Sequence, residues 1–292
     1  MLQVEMMNPL LRGSFEDYAA LEEGSAREFL DSAMLTPMGN KRVHPYGVPS
    51  GFGATDEIQL CRLRRPEKNV FVLSEKGSGR HLLTARKRGD EYRVSSYEEG
   101  EHIETFSAVV KRECSRSCVV YQLFLVVAKE IFLEKVPLAK ISPSSTNLAG
   151  QFVRKLQVDL PTHFPQQSHY VHDYAKQRME KKEETATIRL RNKLPALKNG
   201  SYSLKFARGR AKVSSSKNFL IYLETALQYD PEVAADHAVL QLGKLGPKTF
   251  ALDFKYPISP LQAFAIALAA FDSKSIHRAL LNGAGKSNTR KR

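Results

Sequence analysis

The chain has 292 residues, 44 Lys plus Arg against 31 Asp plus Glu, and a formal net charge of +13. With 42% hydrophobic and 26% charged residues it has globular composition, which excludes wholesale disorder. Three cysteines, Cys61, Cys114 and Cys118, are too few for a disulfide framework, and no group of four Cys and His has zinc-ligand spacing. A reduced compartment, cytosolic or nuclear, is expected. The N-terminus carries acids where a secretory signal needs a basic start and a continuous apolar run.

Residues 1–56 form a distinct region. Eight acids and four bases give it a net charge of −4, which leaves +17 on residues 57–292. Five of the six methionines lie there. Phe15–Leu35 has the pattern of one amphipathic helix, with Ser14 as cap and Asp17 three residues on. Thr36–Thr55 is rich in Gly and Pro and reads as a linker. The basic body that follows points to an anionic partner: nucleic acid, membrane phosphates or an acidic protein.

From about residue 57 the pattern changes to short strands. Asn69–Leu73, Arg80–Ala85 and Glu91–Ser95 are separated by Gly-bearing turns, followed by Phe106–Val110 and the nearly continuous apolar run Cys118–Val127. Lys155–Leu160, Thr185–Arg191, Ser201–Phe206, Asn218–Leu223, His237–Leu242 and Lys248–Phe254 continue the series. In Thr185–Arg191 apolar and basic residues alternate, as in a strand with one buried and one wet face. Eleven strands with almost no long helices between them predict an antiparallel barrel or sandwich, because parallel strands need helical crossovers.

One segment departs from this pattern. Ser259–Asp272 has a capping residue, Pro at the first helical position and five Ala, and from Leu261 to Phe271 only Gln262 is polar. A helix apolar on every side must be buried on every side or lie in lipid. At 1.5 Å per residue it spans about 20 Å, short of the ~30 Å hydrocarbon core of a bilayer. A helix threaded through a β-barrel is the better reading, since a closed sheet of eleven or twelve strands has an interior to fill.

The stretch from Ala238 to Ser275, with LQAFAIAL followed by FDSK, resembles the C-terminal signature of the tubby-like proteins, which runs roughly V-x-Q-F-G, F-x-M-D-[YF]-x-Y-P-L and LQAFAIALSSFD. Gly209–Ile221 is similar to the family's GRV-x-x-ASVKNFQI, Leu82–Arg88 to its LLAGRKRK strand, and Lys155–Pro161 to its K-M-x-V-x-V-P strand. The resemblance covers about residues 57–276. It implies a closed antiparallel twelve-stranded β-barrel around a central hydrophobic helix at 259–273; composition sets the region 1–56 before it and a basic tail at 277–292 after it. It also implies binding of phosphoinositides, chiefly phosphatidylinositol 4,5-bisphosphate, with no catalysis and no cofactor. In animals the family's members act as membrane-tethered adaptors that release on lipid hydrolysis and carry membrane cargo toward cilia, and a transcriptional role has been proposed.

An inositol ring bearing several phosphates needs Lys and Arg converging from neighbouring strands, and Arg can grip a phosphate with two parallel hydrogen bonds. On the resemblance, Arg86, Lys87 and Arg88 match the family's basic strand end, and Lys111, within Phe106–Glu113, aligns with its phosphate-contacting Arg. Alternation puts Arg86 and Arg88 on one face and Lys87 on the other, which ranks the arginines first. Two departures stand out. Gly89-Asp90 follows where the family adds more lysines, and Lys at 111 lacks the guanidinium fork.

The expected partners are phosphoinositide head groups at the inner leaflet, with cargo or trafficking proteins addressed by residues 1–56; a monomer is expected. The expected location is cytoplasmic and peripheral at the plasma membrane, with the nucleus or cilium as further sites. Nucleic acid is the alternative partner, although there is no recognition helix, zinc finger or RNP-type aromatic motif. Arg208–Lys212 is a further charged patch that could line the same basic face.

Other signals are weaker. Gly283–Ser287 has Leu280 where a phosphate-binding loop needs Gly, and follows a helix instead of a strand. His163, His169, His172 and Asp173 lie in a Pro- and Gln-rich loop without helical spacing. Cys114 and Cys118 have no evident base, and Arg178–Glu184 reads as a solvated loop. No pattern of a nucleophile with its base is present, so an enzyme is not expected.

Overall fold

The computed structural model describes residues 58–95, 108–115, 118–129, 132–148, 151–161, 187–198 and 201–272. Residues 1–56, the basic tail, the histidine loop, the Arg178–Glu184 run and the Gly283–Ser287 segment lie outside the described residues.

The strands are β1 (Gln59–Arg64), β2 (Val70–Glu75), β3 (His81–Arg88), β4 (Glu91–Ser95), β5 (Ala108–Cys114), β6 (Val119–Lys129), β7 (Phe132–Leu148) and β8 (Gln151–Pro161). They continue as β9 (Thr187–Asn192), β10 (Ala196–Lys198), β11 (Ser201–Ser203), β12 (Phe219–Leu223), β13 (Leu240–Gly246) and β14 (Thr249–Phe254). Two α-helices follow β12 and β14: α1 (Glu224–Tyr229) and α2 (Pro260–Phe271). Twelve strands close into one antiparallel barrel in the order β1-β14-β13-β12-β9-β8-β7-β6-β5-β4-β3-β2, and β10 and β11 pair separately.

Two barrel strands are not apparent from the sequence pattern. β1 offers only Cys61 and Leu63 to the core, yet it closes the barrel by pairing with β14 on one side and β2 on the other. β7 contains Pro137 and Pro143, residues that read as strand breakers. Pro137 sits where the register against β6 shifts by one residue. Pro143 lies beyond Ile141, where pairing with β6 ends, so its missing N–H leaves no gap in that ladder.

The interior explains the hydrophobic helix. About eight strands enclose a space that side chains alone can fill; twelve enclose a wider one, and a helix about 10 Å across fills it. All twelve residues of α2 are buried. Leu63, Leu73, Leu83, Leu123, Ile141 and Leu252 line the wall around it and are fully shielded from solvent. Ala263, Ala265, Ala267, Ala269 and Ala270 keep the rod slim, while Phe264, Ile266, Leu268 and Phe271 fill the remaining space. The entry to α2 is a complete capping box: Gln262 N donates to Ser259 Oγ (3.3 Å), and Ser259 N donates to Gln262 Oε1 (3.0 Å). The one polar side chain of the rod also donates Nε2 to Leu138 O of β7 (3.0 Å), so no amide group of Gln262 is buried without a partner.

Candidate functional site

The barrel wall formed by β3, β4 and β5 carries the sequence-predicted residues. β3 starts apolar and ends in Ala85-Arg86-Lys87-Arg88, with exposure alternating as Arg86 and Arg88 turn outward and Lys87 inward. The reversal after Arg88 uses Gly89, whose φ of +59° favours glycine. The register places Arg86 opposite Arg93 and Arg88 opposite Glu91 of β4, and Glu91 opposite Lys111 of β5. Residues paired across antiparallel strands share a face. Arg86, Arg88 and Lys111 therefore lie on the same outer wall, with Arg88 and Lys111 two strands apart, about 10 Å at ordinary strand spacing.

Two cations of this wall are absent from the sequence reading. Arg93 stands next to Arg86, half-buried, and its Nε donates to Glu91 Oε1 (3.2 Å). Lys140 continues the row that runs from Lys111 through Gln122 onto β7. The signal for Arg93 was present in Glu91-Tyr-Arg-Val-Ser95, where alternation puts it on the face of Glu91. Lys140 was hidden with its Pro-containing strand. The patch also holds acids: Lys111 Nζ lies 3.3 Å from Glu113 Oε1, an exposed pair that solvent screens heavily.

Lys87 has a different environment from its neighbours. Its ammonium points into the barrel mouth, 2.8 Å from Asp272 Oδ1 at the C-terminal cap of α2, and lies 5.2 Å from the centre of the Tyr92 ring. Tyr121 of β6 donates its hydroxyl to Asp272 Oδ2 (2.9 Å). Arg112 of β5 sits 3.9 Å from the same oxygen through Nε and donates Nη1 to Asp90 Oδ1 (2.8 Å). Burial, and then the Asp272 charge, push the Tyr121 hydroxyl well above the usual phenol range, so it is a donor at any ordinary pH. Burial is the largest single influence on the Arg112 guanidinium and lowers it; the hydrogen bond to Asp90 together with the charges of Tyr121, Cys114 and Asp272 outweighs that and leaves it raised.

Within the charged run Arg208–Lys212, Arg208 and Lys212 are exposed while Arg210 has a structural role. Arg210 is buried and grips Asp253 of β14 with two hydrogen bonds, Nε to Oδ2 (2.8 Å) and Nη2 to Oδ1 (2.7 Å), while Nη2 also donates to Cys61 O (2.9 Å). Gln241 donates to Asp253 Oδ2 (2.8 Å). The strap rests so closely on β13 that a Cβ at Gly243 would stand 2.8 Å from Ala211 Cβ. Arg210 thus fastens a strap to the wall and is not available to a ligand.

A cleft of about 390 Å³ opens among β7, β8, β9 and α1, lined in part by Ser144, Lys155, Arg191 and Glu224. Arg191 is held there by Glu224 (2.7 Å). Cys114 and Cys118 are exposed near the β5–β6 turn, and no group of three or more metal-ligating side chains gathers among the described residues.

The Tub family model matches residues 117–273, from the start of β6 to the end of α2. The chain belongs to the Tub family. It is 41% identical over 99 residues to Tubby-related protein 2 of Mus musculus, covering 33% of this chain and 16% of that protein. Tubby-related protein 3 of Homo sapiens is 34% identical over 145 residues, covering 47% of this chain and 31% of its own length. Tubby-like F-box protein 6 of Arabidopsis thaliana is 42% identical over 73 residues, 24% of this chain and 18% of that protein. The matches thus span less than a third of each of these relatives.

Proposed function

We propose that this chain is a non-enzymatic phosphoinositide-binding protein, of the phosphatidylinositol 4,5-bisphosphate type, that acts as a reversible membrane-tethered adaptor. The observation that carries the reading is one outward wall on which Arg86 and Arg88, beside Arg93, stand two strands from Lys111. Guanidiniums and an ammonium fixed on neighbouring strands suit a ring whose phosphates point in several directions. The inner side of the wall packs on the helix-filled core, so the strands need no ordering on binding, and the cost that remains is the rotamer freedom of the exposed side chains.

Magnitudes favour recruitment over anchoring. Each cation near an anionic leaflet contributes about 1 kcal/mol, so three or four together raise affinity roughly 100- to 1000-fold, and the contribution falls with salt. No described helix is long and apolar enough to cross a membrane. On this reading the protein works in the cytoplasm and at the inner face of the plasma membrane, and residues 1–56 address a cargo or trafficking partner.

The test is a vesicle panel on wild type and Arg86→Ala/Arg88→Ala. Wild type should sediment with phosphatidylcholine vesicles containing the bisphosphate and stay free of pure phosphatidylcholine. The double variant should bind about 30-fold more weakly, from roughly 1 kcal/mol per cation, while its melting temperature hardly moves. Equal binding of wild type to both vesicles contradicts the proposal. A duplex-DNA gel shift that survives physiological salt, alongside such a result, would favour the nucleic-acid reading of the basic body.

A further inference from the structure

We propose that Asp272 is a positioning residue for the phosphoinositide face: from inside the barrel it ties together the two strand ends that carry the outward cations. The proposal rests on the reading above and adds a residue that would never touch lipid. Lys87 is flanked on β3 by Arg86 and Arg88, and Arg112 follows Lys111 on β5. The inward member of each set turns to one carboxylate: Lys87 Nζ at 2.8 Å from Oδ1, Arg112 Nε at 3.9 Å from Oδ2. Arg112 Nε is buried and makes no hydrogen bond of its own, so the charge of Asp272 is its compensation on that side. Tyr121 adds β6 to the same oxygen, and Arg112 reaches Asp90 in the turn that joins β3 to β4.

The placement of the carboxylate calls for an explanation. An acid at the C-terminal end of a helix faces the negative end of the dipole and disfavours the helix unless cations offset it. The cations that do so here are the inward neighbours of the outward patch. A shift of α2 along the barrel axis would therefore pull on β3 and β5 together, and a change in the latch would alter the distance between Arg86 or Arg88 and Lys111.

Charge and position make opposite predictions for one variant. Asp272→Asn removes a negative charge from the mouth and frees Lys87. If net charge or Lys87 itself governed binding, vesicles with the bisphosphate would bind tighter. If Asp272 positions the strands, affinity for the bisphosphate falls, because disturbing such a network costs roughly 2- to 30-fold. The readout is the ratio of affinity for bisphosphate vesicles to that for vesicles in which phosphatidylserine supplies the same surface charge, taken well below the melting temperature. A merely stabilising role would lower the melting temperature and leave this ratio alone.

We expect Asp272→Asn to lower the ratio about tenfold, with phosphatidylserine binding unchanged or slightly stronger, and Lys87→Arg, which keeps the ion pair, to retain most of it. Tyr121→Phe removes a hydrogen bond and no charge; it should lower the ratio a few-fold, and it decides the matter if Asp272→Asn does not fold. An unchanged or raised ratio in a folded Asp272→Asn, or an unchanged one in Tyr121→Phe where only that variant folds, overturns the proposal. Failure of wild type to prefer the bisphosphate would overturn the functional reading itself, a separate result.

Discussion

Two basic runs of this chain, Arg86-Lys87-Arg88 and Arg208–Lys212, look alike in sequence and serve different ends. In the first, a strand end turns two guanidiniums to solvent and one ammonium to the core. In the second, a strap presses Arg210 onto Asp253, which is 1% exposed. What separates them is the partner beneath. A carboxylate under the strap holds Arg210 at 8% exposure, whereas the side chains of Arg86 and Arg88 stay exposed on the outer wall. Basic residues in a barrel protein thus need to be sorted by face before any are assigned to a ligand.

The largest effect should come from breaking the captured pair. Arg210→Ala leaves Asp253 buried without its guanidinium, and a buried pair broken on one side costs about 3–5 kcal/mol. A drop of that size in urea unfolding free energy, with bisphosphate binding by the surviving folded protein unchanged, would confirm that the strap is structural. If Arg210→Ala weakened lipid binding as much as Arg86→Ala/Arg88→Ala, the two runs would not differ as described.

A smaller effect concerns the thiol beneath the strap. Burial, then Asp253 and Glu75, push Cys61 from 9.0 to about 12. The folded protein therefore holds the Cys61 proton more tightly than the unfolded chain. That contribution to stability is fully present below pH 9 and is lost as pH rises toward 12. In the native state an alkylating reagent should label the exposed Cys114 and Cys118 and leave Cys61 unreacted. Arg210→Ala removes a charge that lowers the Cys61 thiol, so any faster Cys61 labelling in it reports opening of the destabilised wall; rapid labelling of all three thiols in wild type would contradict the packing of β1.

Much of the fold is legible in sequence because its signals are local. Twelve consecutive helix residues with one polar side chain, opened by Ser259 and Pro260, are too short for a bilayer and so read as a buried rod, and most of the strands around it read as short apolar or alternating runs. β1 and β7 are hidden because their strand character depends on neighbours: β1 has two core residues, and the prolines of β7 are tolerated at a register shift and past the end of its pairing with β6. That Arg86 and Arg88 share one face and Lys87 takes the other follows from alternation alone. That Lys87 meets Asp272, and Arg210 meets Asp253, does not, since these pairs join segments distant along the chain and exist only once the barrel has closed.

The central claim is that Arg86 and Arg88, and not the strapped Arg210, meet inositol phosphates. The most direct measurement is a titration of the full chain with the free inositol trisphosphate head group, followed by NMR at the arginine Nε–H signals. We predict that the Arg86 and Arg88 signals shift together and saturate while the Arg210 signal stays in place. Saturable movement of Arg210 with Arg86 and Arg88 unmoved would contradict the account.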